Sequence, residues 1–310
     1  MKLAALSVDL DEIPCYHAIH GLSMPTGEAA HAVYARAVAR LAALWAKLDV
    51  PCTFFVIGRD LEAPIAADAA RALAAAGHEL GNHSQNHRYD LTRLSTEAMR
   101  REVLDAQESI ARVQGHAPTG FRAPGYTIHD GLFDVLRDAG FAYDSSVFPC
   151  PAYWAAKAAA IGAIALRGRE SRSVVDRPTV LAAPADPYFP ARPYWRAGAH
   201  EGALLELPIG VTRFARLPFI GTSVMMAGPT GARALAAMMR GRPLINLELH
   251  GIDLLDAADG LDALRGHQPD IGIPVAQKIE TLSQTIGSLK AAGYTFVTLR
   301  EAAQAVSLTR

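Results

Sequence analysis

The chain has 310 residues, of which 50% are hydrophobic and 20% charged, with 30 Lys and Arg against 31 Asp and Glu. A half-apolar chain of this length is not a disordered one, and it can bury the core of one large α/β domain. A net charge of −1 gives no general pull toward nucleic acid, and Cys15, Cys52 and Cys150 are too few and too scattered for a disulfide framework or a CxxC zinc site.

The N-terminal apolar run, 3–8, is ended at once by Asp9, Asp11 and Glu12, so it lacks the length and the cleavage site of a secretory leader. The most apolar later stretch, 153–166, contains Lys157 and falls short of the roughly 20 residues that a spanning helix needs. With reduced cysteines as the default, these features imply a cytoplasmic protein.

Residues 3–8 read as a strand, and 29–48 carry the apolar stripe of a helix through Val33, Ala37, Leu41, Leu44, Trp45 and Leu48. A second strand, 52–57, follows Pro51, and an Ala-rich helix, 64–76, stops at Gly77. The alternation continues with a strand at 78–82, a helix at 96–113, a strand at 119–122, a helix at 132–139 and a strand at 141–143. Beyond residue 200 come a strand at 203–208, a helix at 231–239, a strand at 244–250, a helix at 275–292 and a strand at 295–298. Repeated strand–helix units imply parallel strands with right-handed crossovers. Their number predicts a (β/α) barrel of seven or eight strands, closed or nearly so and open to distortion. No GxGxxG or GxxxxGKS run follows the first strand, so the dinucleotide and P-loop readings lose their main support.

The chemistry of such a barrel sits at the C-terminal ends of its strands. The first strand ends in Asp9-Leu10-Asp11, and two residues' spacing puts both carboxylates on one face if the strand continues. The third runs into His83-Ser84-Gln85-Asn86-His87, where one helical turn would place both rings on one side. The fourth ends in Arg122-Ala123-Pro124-Gly125-Tyr126, and the strand before Gly251 delivers His250. Two His and one carboxylate make a facial metal triad with open positions, suited to Zn²⁺ or to Fe, Co, Ni or Mn. A second Asp could act as general base, a nearby Arg would orient it, and a His from an opposite strand could protonate a leaving nitrogen. Each element alone has a structural reading: HxxxH as capping or surface residues, Asp-x-Asp as a loop or helix N-cap, Arg as a salt-bridge partner, His250 as a half-buried ring. Their joint placement at successive strand ends favours a metal site for amide hydrolysis.

In this order the motifs resemble the polysaccharide deacetylases of the NodB-homology type, carbohydrate esterase family 4. His83-Ser84-Gln85-Asn86-His87 fits the family's H-[ST]-x-x-H, Arg122-Ala123-Pro124 fits R-x-P-[YF] up to its last position, and Leu247-Glu248-Leu249-His250 matches its Leu-x-His strand end. The approach Gly77–Asn82, the strand at 52–57 and Tyr143-Asp144-Ser145-Ser146 are also similar, and the likeness spans roughly 3–150 and 203–300. The resemblance implies Asp11, His83 and His87 as ligands of one divalent ion, Asp9 as base, Arg122 as its orienting partner and His250 as acid. It also implies that Gly125, through its N–H, and Tyr126 meet the substrate. Two departures weaken the choice of substrate: Asp9-Leu10-Asp11 is of the D-x-D kind, and Gly125 stands where an aromatic is usual, which would open the pocket. Asp144 is open to two readings, tuning a catalytic His or forming a structural turn.

Residues 149–199 break the rhythm. Between 151 and 200 seven Lys and Arg face three Asp and Glu, among many aromatics. This reads as an insertion that caps the mouth of one catalytic domain spanning 1–310. Its aromatics could stack on sugars and Arg167, Arg169, Arg172 and Arg177 could meet a phosphate. Residues 153–172 could touch a membrane peripherally, as an amphipathic helix on its inner face. The alternative is a helix that simply plugs the barrel side. The leading function is metal-dependent N-deacetylation of an N-acylated amino sugar, in a glycan precursor or a lipid-linked sugar. Alternatives are a deformylase of a lipid-linked formamido sugar and an allantoinase-like hydrolase of cyclic amides or ureides. A non-catalytic glycan-binding barrel would require a lost base or acid, and Asp9 and His250 are both present.

Overall fold

The computed structural model describes residues 2–199 and 204–308. In chain order its elements are β1 (Leu3–Asp9), α1 (Ile13–His20), α2 (Val38–Leu48), β2 (Thr53–Val56), α3 (Pro64–Ala75), β3 (Glu79–Asn82), α4 (Thr96–Gln114), β4 (Gly120–Phe121) and α5 (Asp130–Asp138). They continue with β5 (Tyr143–Asp144), α6 (Pro151–Leu166), β6 (Leu205–Glu206), α7 (Gly221–Met238), β7 (Leu244–His250), α8 (Val275–Ala291), β8 (Thr295–Phe296) and α9 (Leu299–Leu308).

All strand pairs are parallel, in the order β6-β5-β4-β3-β2-β1-β7, with β8 beside Leu3 and Ala4 of β1. β1 and β7 are long and buried on both faces, as central strands covered by helices must be. The gap between β6 and β7 is spanned by irregular chain. Gly210 N–H donates to the Asn246 carbonyl at 2.9 Å, Ile220 bridges Glu248, and Asn246 Nδ2 donates to the carbonyls of Leu207 and Pro208 at 3.3 Å. The sheet is thus the expected distorted (β/α) barrel, closed by backbone and one amide side chain.

The main core lies between β1, β2 and β7 and the inner faces of α2, α3, α7 and α8, and a second core joins α4 and α5 to Val180, Ala183, Tyr194 and Leu204. Local signals set the helix ends: Ser95 Oγ accepts from Ala98 N–H at the start of α4, and Gly115 closes it in the left-handed conformation.

Several sequence expectations need correction. The stripe at 29–48 is a 3-10 turn and a π turn leading into α2, not one α-helix. The helix expected at 231–239 begins ten residues earlier at Gly221 and bends at Gly228 and Pro229, which concealed its first turns. The strand expected at 203–208 is only Leu205–Glu206, and Ala203 lies outside the described residues. α1 and α9 are additions to the expected elements, and α9 carries a helical stripe through Leu299, Ala302, Ala303 and Val306.

The insertion divides in two. α6 and residues 170–176 lie over the strand ends. Residues 178–199 instead join the barrel's flank, with Tyr188, Phe189 and Tyr194 buried and Tyr188 bridging Glu206 of β6. Those aromatics are core and not a sugar-stacking platform. α6 has no buried residue, and its single charged residue, Lys157, turns inward to the Gly125 carbonyl at 2.8 Å. Among the described residues no helix is long and apolar enough to cross a membrane.

The closure predicts a sensitive position. A Cβ on Gly210 would sit 2.4 Å from the Asn246 carbonyl oxygen. Gly210→Ala should therefore destabilise the fold by about 1–3 kcal/mol, as overpacking does, read as a lower urea midpoint at constant m-value. An unchanged midpoint would mean that the β6–β7 gap is not tightly closed.

Candidate active site

Four strand ends meet at one point. Asp9 closes β1, and the chain continues far enough for Asp11 to enter the same space. Asp11 Oδ1 lies 3.3 Å from His83 Nε2 and 3.2 Å from His87 Nε2, and its Oδ2 lies 4.0 Å from His250 Nε2. Asp9 Oδ2 is 3.8 Å from His83 Nε2. Asp9, Asp11, His83, His87 and Arg122 are all buried, while the His250 side chain is 26% exposed at the mouth.

Each ligand candidate is held from behind. His83 Nδ1 donates to the Arg122 carbonyl at 2.7 Å, which leaves the Nε2 lone pair facing the carboxylates. The 83–87 segment is not the expected helical turn. Ser84 and His87 both adopt positive φ, 61° and 51°, so the chain reverses sharply instead. Asn82 Oδ1 accepts from Ser84 N–H, Ser84 Oγ accepts from His87 N–H, and the Glu102 carboxylate of α4 accepts from Asn86 N–H and Nδ2. These bonds stabilise a backbone that non-glycine residues otherwise avoid. The result still places the two rings side by side, 4.8 Å between centroids.

Arg122 reaches across the barrel centre. Its Nη1 donates to Asp9 Oδ1 at 2.7 Å, its Nη2 to Ser7 Oγ and Ser145 Oγ, both at 2.9 Å, and its Nε to the Ser145 carbonyl at 2.8 Å. One oxygen of Asp9 is thereby fixed, and the other faces the histidines.

The residues fit a cation. Asp11 Oδ1 and both ring nitrogens of His87 are buried without an aligned hydrogen-bond partner, although they stand at ion-pair distance. The donor atoms of Asp11, His83 and His87 lie within 4.8 Å of one another. Tetrahedral bonds of about 2.0–2.2 Å to zinc put neighbouring ligand atoms about 3.3–3.6 Å apart, close to the observed 3.2 and 3.3 Å. Burial works to raise the Asp11 pKa, yet the His87 and His83 rings outweigh it and hold the carboxyl well below its usual range. Burial pushes His87 down against the pull of Asp11, so its neutral, ligating form is favoured.

On the opposite side His250 stands beside a residue that the sequence reading did not single out. Glu248 Oε1 is 2.9 Å from His250 Nδ1. Burial alone would lower the His250 pKa, but the Glu248 carboxylate outweighs it and raises it well above the free value. Its two-residue spacing from His250 along β7 was the available signal, since alternate strand residues share a face. Asp144, by contrast, does not tune His250. It accepts from Ser146 N–H and Oγ, which makes it the structural turn.

Gly125 does not open the pocket. It has φ +63°, and a Cβ there would lie 2.9 Å from the Tyr89 ring, which fills the space. The aromatic has moved one position: Tyr126, also at positive φ, brings its hydroxyl to 3.4 Å from His250 Nε2 and packs on Phe148 and Tyr153.

The comparisons with known proteins agree with this geometry. Residues 31–143 match the family model for polysaccharide deacetylase. The chain is 27% identical over 147 residues to the peptidoglycan deacetylase of Helicobacter pylori, covering 47% of this chain and 49% of that one. It is 33% identical over 90 residues to the peptidoglycan-N-acetylglucosamine deacetylase of Bacillus cereus, covering 29% and 40%. It is 37% identical over 96 residues to the chitin deacetylase of Colletotrichum lindemuthianum, covering 30% and 38%. The chain thus spans about half or less of these relatives' length. Two solved structures share the fold. One is the Xyl-CE4 domain of a multidomain xylanase from the hindgut metagenome of Trinervitermes trinervoides, with TM-score 0.50 and 16% identity over 97% of this chain and 88% of that one. The other is a CE4 family pseudoenzyme from Bacillus anthracis, with TM-score 0.52 and 14% identity over 98% and 66%. These matches place the 31–143 segment in the polysaccharide deacetylase family, and the resemblance read from the motifs is borne out. A pseudoenzyme among the structures means that the fold alone does not carry activity, which must be argued from side chains.

The Glu248–His250 contact is testable without substrate. Glu248→Gln removes the charge that raises the His250 pKa, so the ring should titrate at lower pH than in the parent protein, followed by NMR of the imidazole protons. An unmoved titration would assign the raised pKa to Asp9 and Asp11 instead.

Proposed function

We propose that the chain is a hydrolase of amide C–N bonds that removes the N-acyl group from an N-acylated amino sugar. The single observation that carries this is the convergence of Asp11, His83 and His87 with Asp9 on one side and His250 on the other. The names of the relatives, peptidoglycan and chitin deacetylases, support a sugar amide over the cyclic-amide alternative. A deformylase acting on a formamido sugar would use the same groups. The described chain is read as one catalytic domain, with residues 149–199 as its insertion. The cytoplasmic location stays part of the proposal, consistent with Cys15, Cys52 and Cys150 being free.

Asp11, His83 and His87 would hold one divalent ion, with zinc as the first choice. Such an ion supplies Lewis-acid polarisation of the acyl carbonyl and a lowered pKa for a water beside it. Asp9 takes the proton of the attacking water through the oxygen that Arg122 leaves free. Arg122 keeps that carboxylate from turning toward a ligand position. His250, held protonated by Glu248, gives its proton to the departing nitrogen, which leaves poorly as an anion. Tyr126, one hydrogen-bond length from His250, directs the ring toward the mouth. The Gly125 N–H lies on the strand-end turn from which an oxyanion donor would come.

Two variants separate binding from chemistry. His83→Ala should lose the metal, measured by elemental analysis after zinc loading, together with all activity on N-acetylglucosamine oligomers. Asp9→Asn should keep the metal and fall about 10²–10⁴-fold in kcat. An Asp9→Asn protein with parental turnover would place the base elsewhere, and a metal-replete, active His83→Ala protein would refute the triad.

A further inference from the structure

A groove of about 830 Å³ opens beside His87 and Tyr89. Its walls come from three places: α1 with Pro14, Cys15 and Ala18, the turn carrying Arg59 with the loop 86–93, and residues 170–175 of the insertion with Ile161 of α6. Four arginines line it, Arg59, Arg88, Arg93 and Arg172, against two carboxylates, Asp90 and Glu170. Arg88 is held by Asp90 through two bonds, Nε at 2.9 Å and Nη2 at 2.7 Å. The guanidinium groups of Arg59, Arg93 and Arg172 have no hydrogen bond or ion pair among the described residues. Tyr89 is the one tyrosine on its walls and no tryptophan lines it, so the lining does not offer the stacking faces that neutral sugar chains use. Of the four insertion arginines suggested by the sequence, only Arg172 faces this space.

Resting on the deacetylase reading, we propose that the substrate's amino sugar carries an anionic group, a phosphate or a carboxylate, bound in this groove by Arg59, Arg93 and Arg172. Guanidinium forks match both anions in a bidentate manner, and three such groups with no hydrogen-bonded partner among the described residues line a space that begins at a metal-ligand candidate. A sugar whose amide reaches Asp11 therefore has its neighbouring substituent among these cations. The insertion gains a role in selecting the substrate, since it contributes Arg172 to the same groove as Arg59 and Arg93. Neutral chitin-type oligomers would leave the three charges unused.

The test is binding, measured by calorimetry on the full chain loaded with zinc. The ligands are N-acetylglucosamine, N-acetylglucosamine 1-phosphate and N-acetylmuramic acid. The phosphorylated or the carboxylated sugar should bind at least about tenfold tighter than the neutral one, and the stronger of the two identifies the anion. That preference should shrink as salt rises from about 20 to about 500 mM, because exposed guanidinium charges are screened. The triple variant Arg59→Ala/Arg93→Ala/Arg172→Ala should lose the preference, and Arg172→Glu, a single exposed change checked by circular dichroism, should weaken it. Equal binding of the three sugars, or a preference that survives the triple variant, overturns the proposal. Turnover is scored separately: groove binding with no deacylation of any sugar would overturn the deacetylase reading and leave the anion site standing.

Discussion

The buried Arg122 guanidinium is the contact on which the rest of the site depends. It ties the end of β1, through Ser7 and Asp9, to the turn after β5, through Ser145. The same serines meet Asn246 of β7: Ser7 Oγ donates to Asn246 Oδ1 and Asn246 Nδ2 donates to Ser145 Oγ, both at 3.0 Å. One cation thus joins strands from both sides of the β6–β7 gap, where backbone pairing is sparse. A fully buried arginine is unfavourable unless every donor finds a partner and a counter-charge is near. Here four of the five N–H groups are bonded, Asp9 supplies the counter-charge, and Phe55 covers the guanidinium face at 4.2 Å. The Asp9–Arg122 pair therefore cannot be relaxed at one end alone, and the base position is fixed as firmly as the core.

A second constraint is the reversal at 84–87. Two residues in the left-handed region would be unfavourable by about 1–3 kcal/mol each without support. Asn82, Ser84 and Glu102 supply it through side-chain bonds to the backbone. The motif His83-Ser84-Gln85-Asn86-His87 is thus more than two ligands with spacers. Its serine accepts the bond that turns the chain, and its asparagine anchors the turn to α4.

Much of this was legible in the sequence because strand ends carry the chemistry of a parallel barrel, and punctuation by Pro and Gly marked most strands and helices. The five groups Asp9, Asp11, His83, His87 and His250 stand out as polar residues closing apolar runs. What the sequence concealed depended on tertiary context. Glu248 sits inside an apolar strand and reads as an isolated polar residue until β7 is known to present it beside His250. Ser7 is invisible as a partner of Arg122, and Asn246 as a partner of Ser7, because 115 and 239 positions separate the two pairs. The helical reading of 83–87 failed because spacing of four gives one face in a helix, whereas here side-chain bonds to backbone override that geometry.

The insertion touches both the strand-end turn beside His250 and the groove beside His87. Lys157 and Tyr153 of α6 brace the Gly125–Tyr126 turn, through a carbonyl bond and a ring contact at 5.8 Å. Burial lowers the Lys157 pKa to about 8, with Asp176 pulling the other way, so the contact weakens as pH rises through that value. The same segment then lines the groove with Arg172, one wall away from His87. A displacement of α6 would therefore act on both features together: the turn that carries Tyr126 to His250, and the cationic wall where the rest of a substrate lies. On the proposed reading, position of the reacting amide and selection of its substituent are mechanically coupled, because one helix and the irregular chain that follows it support both.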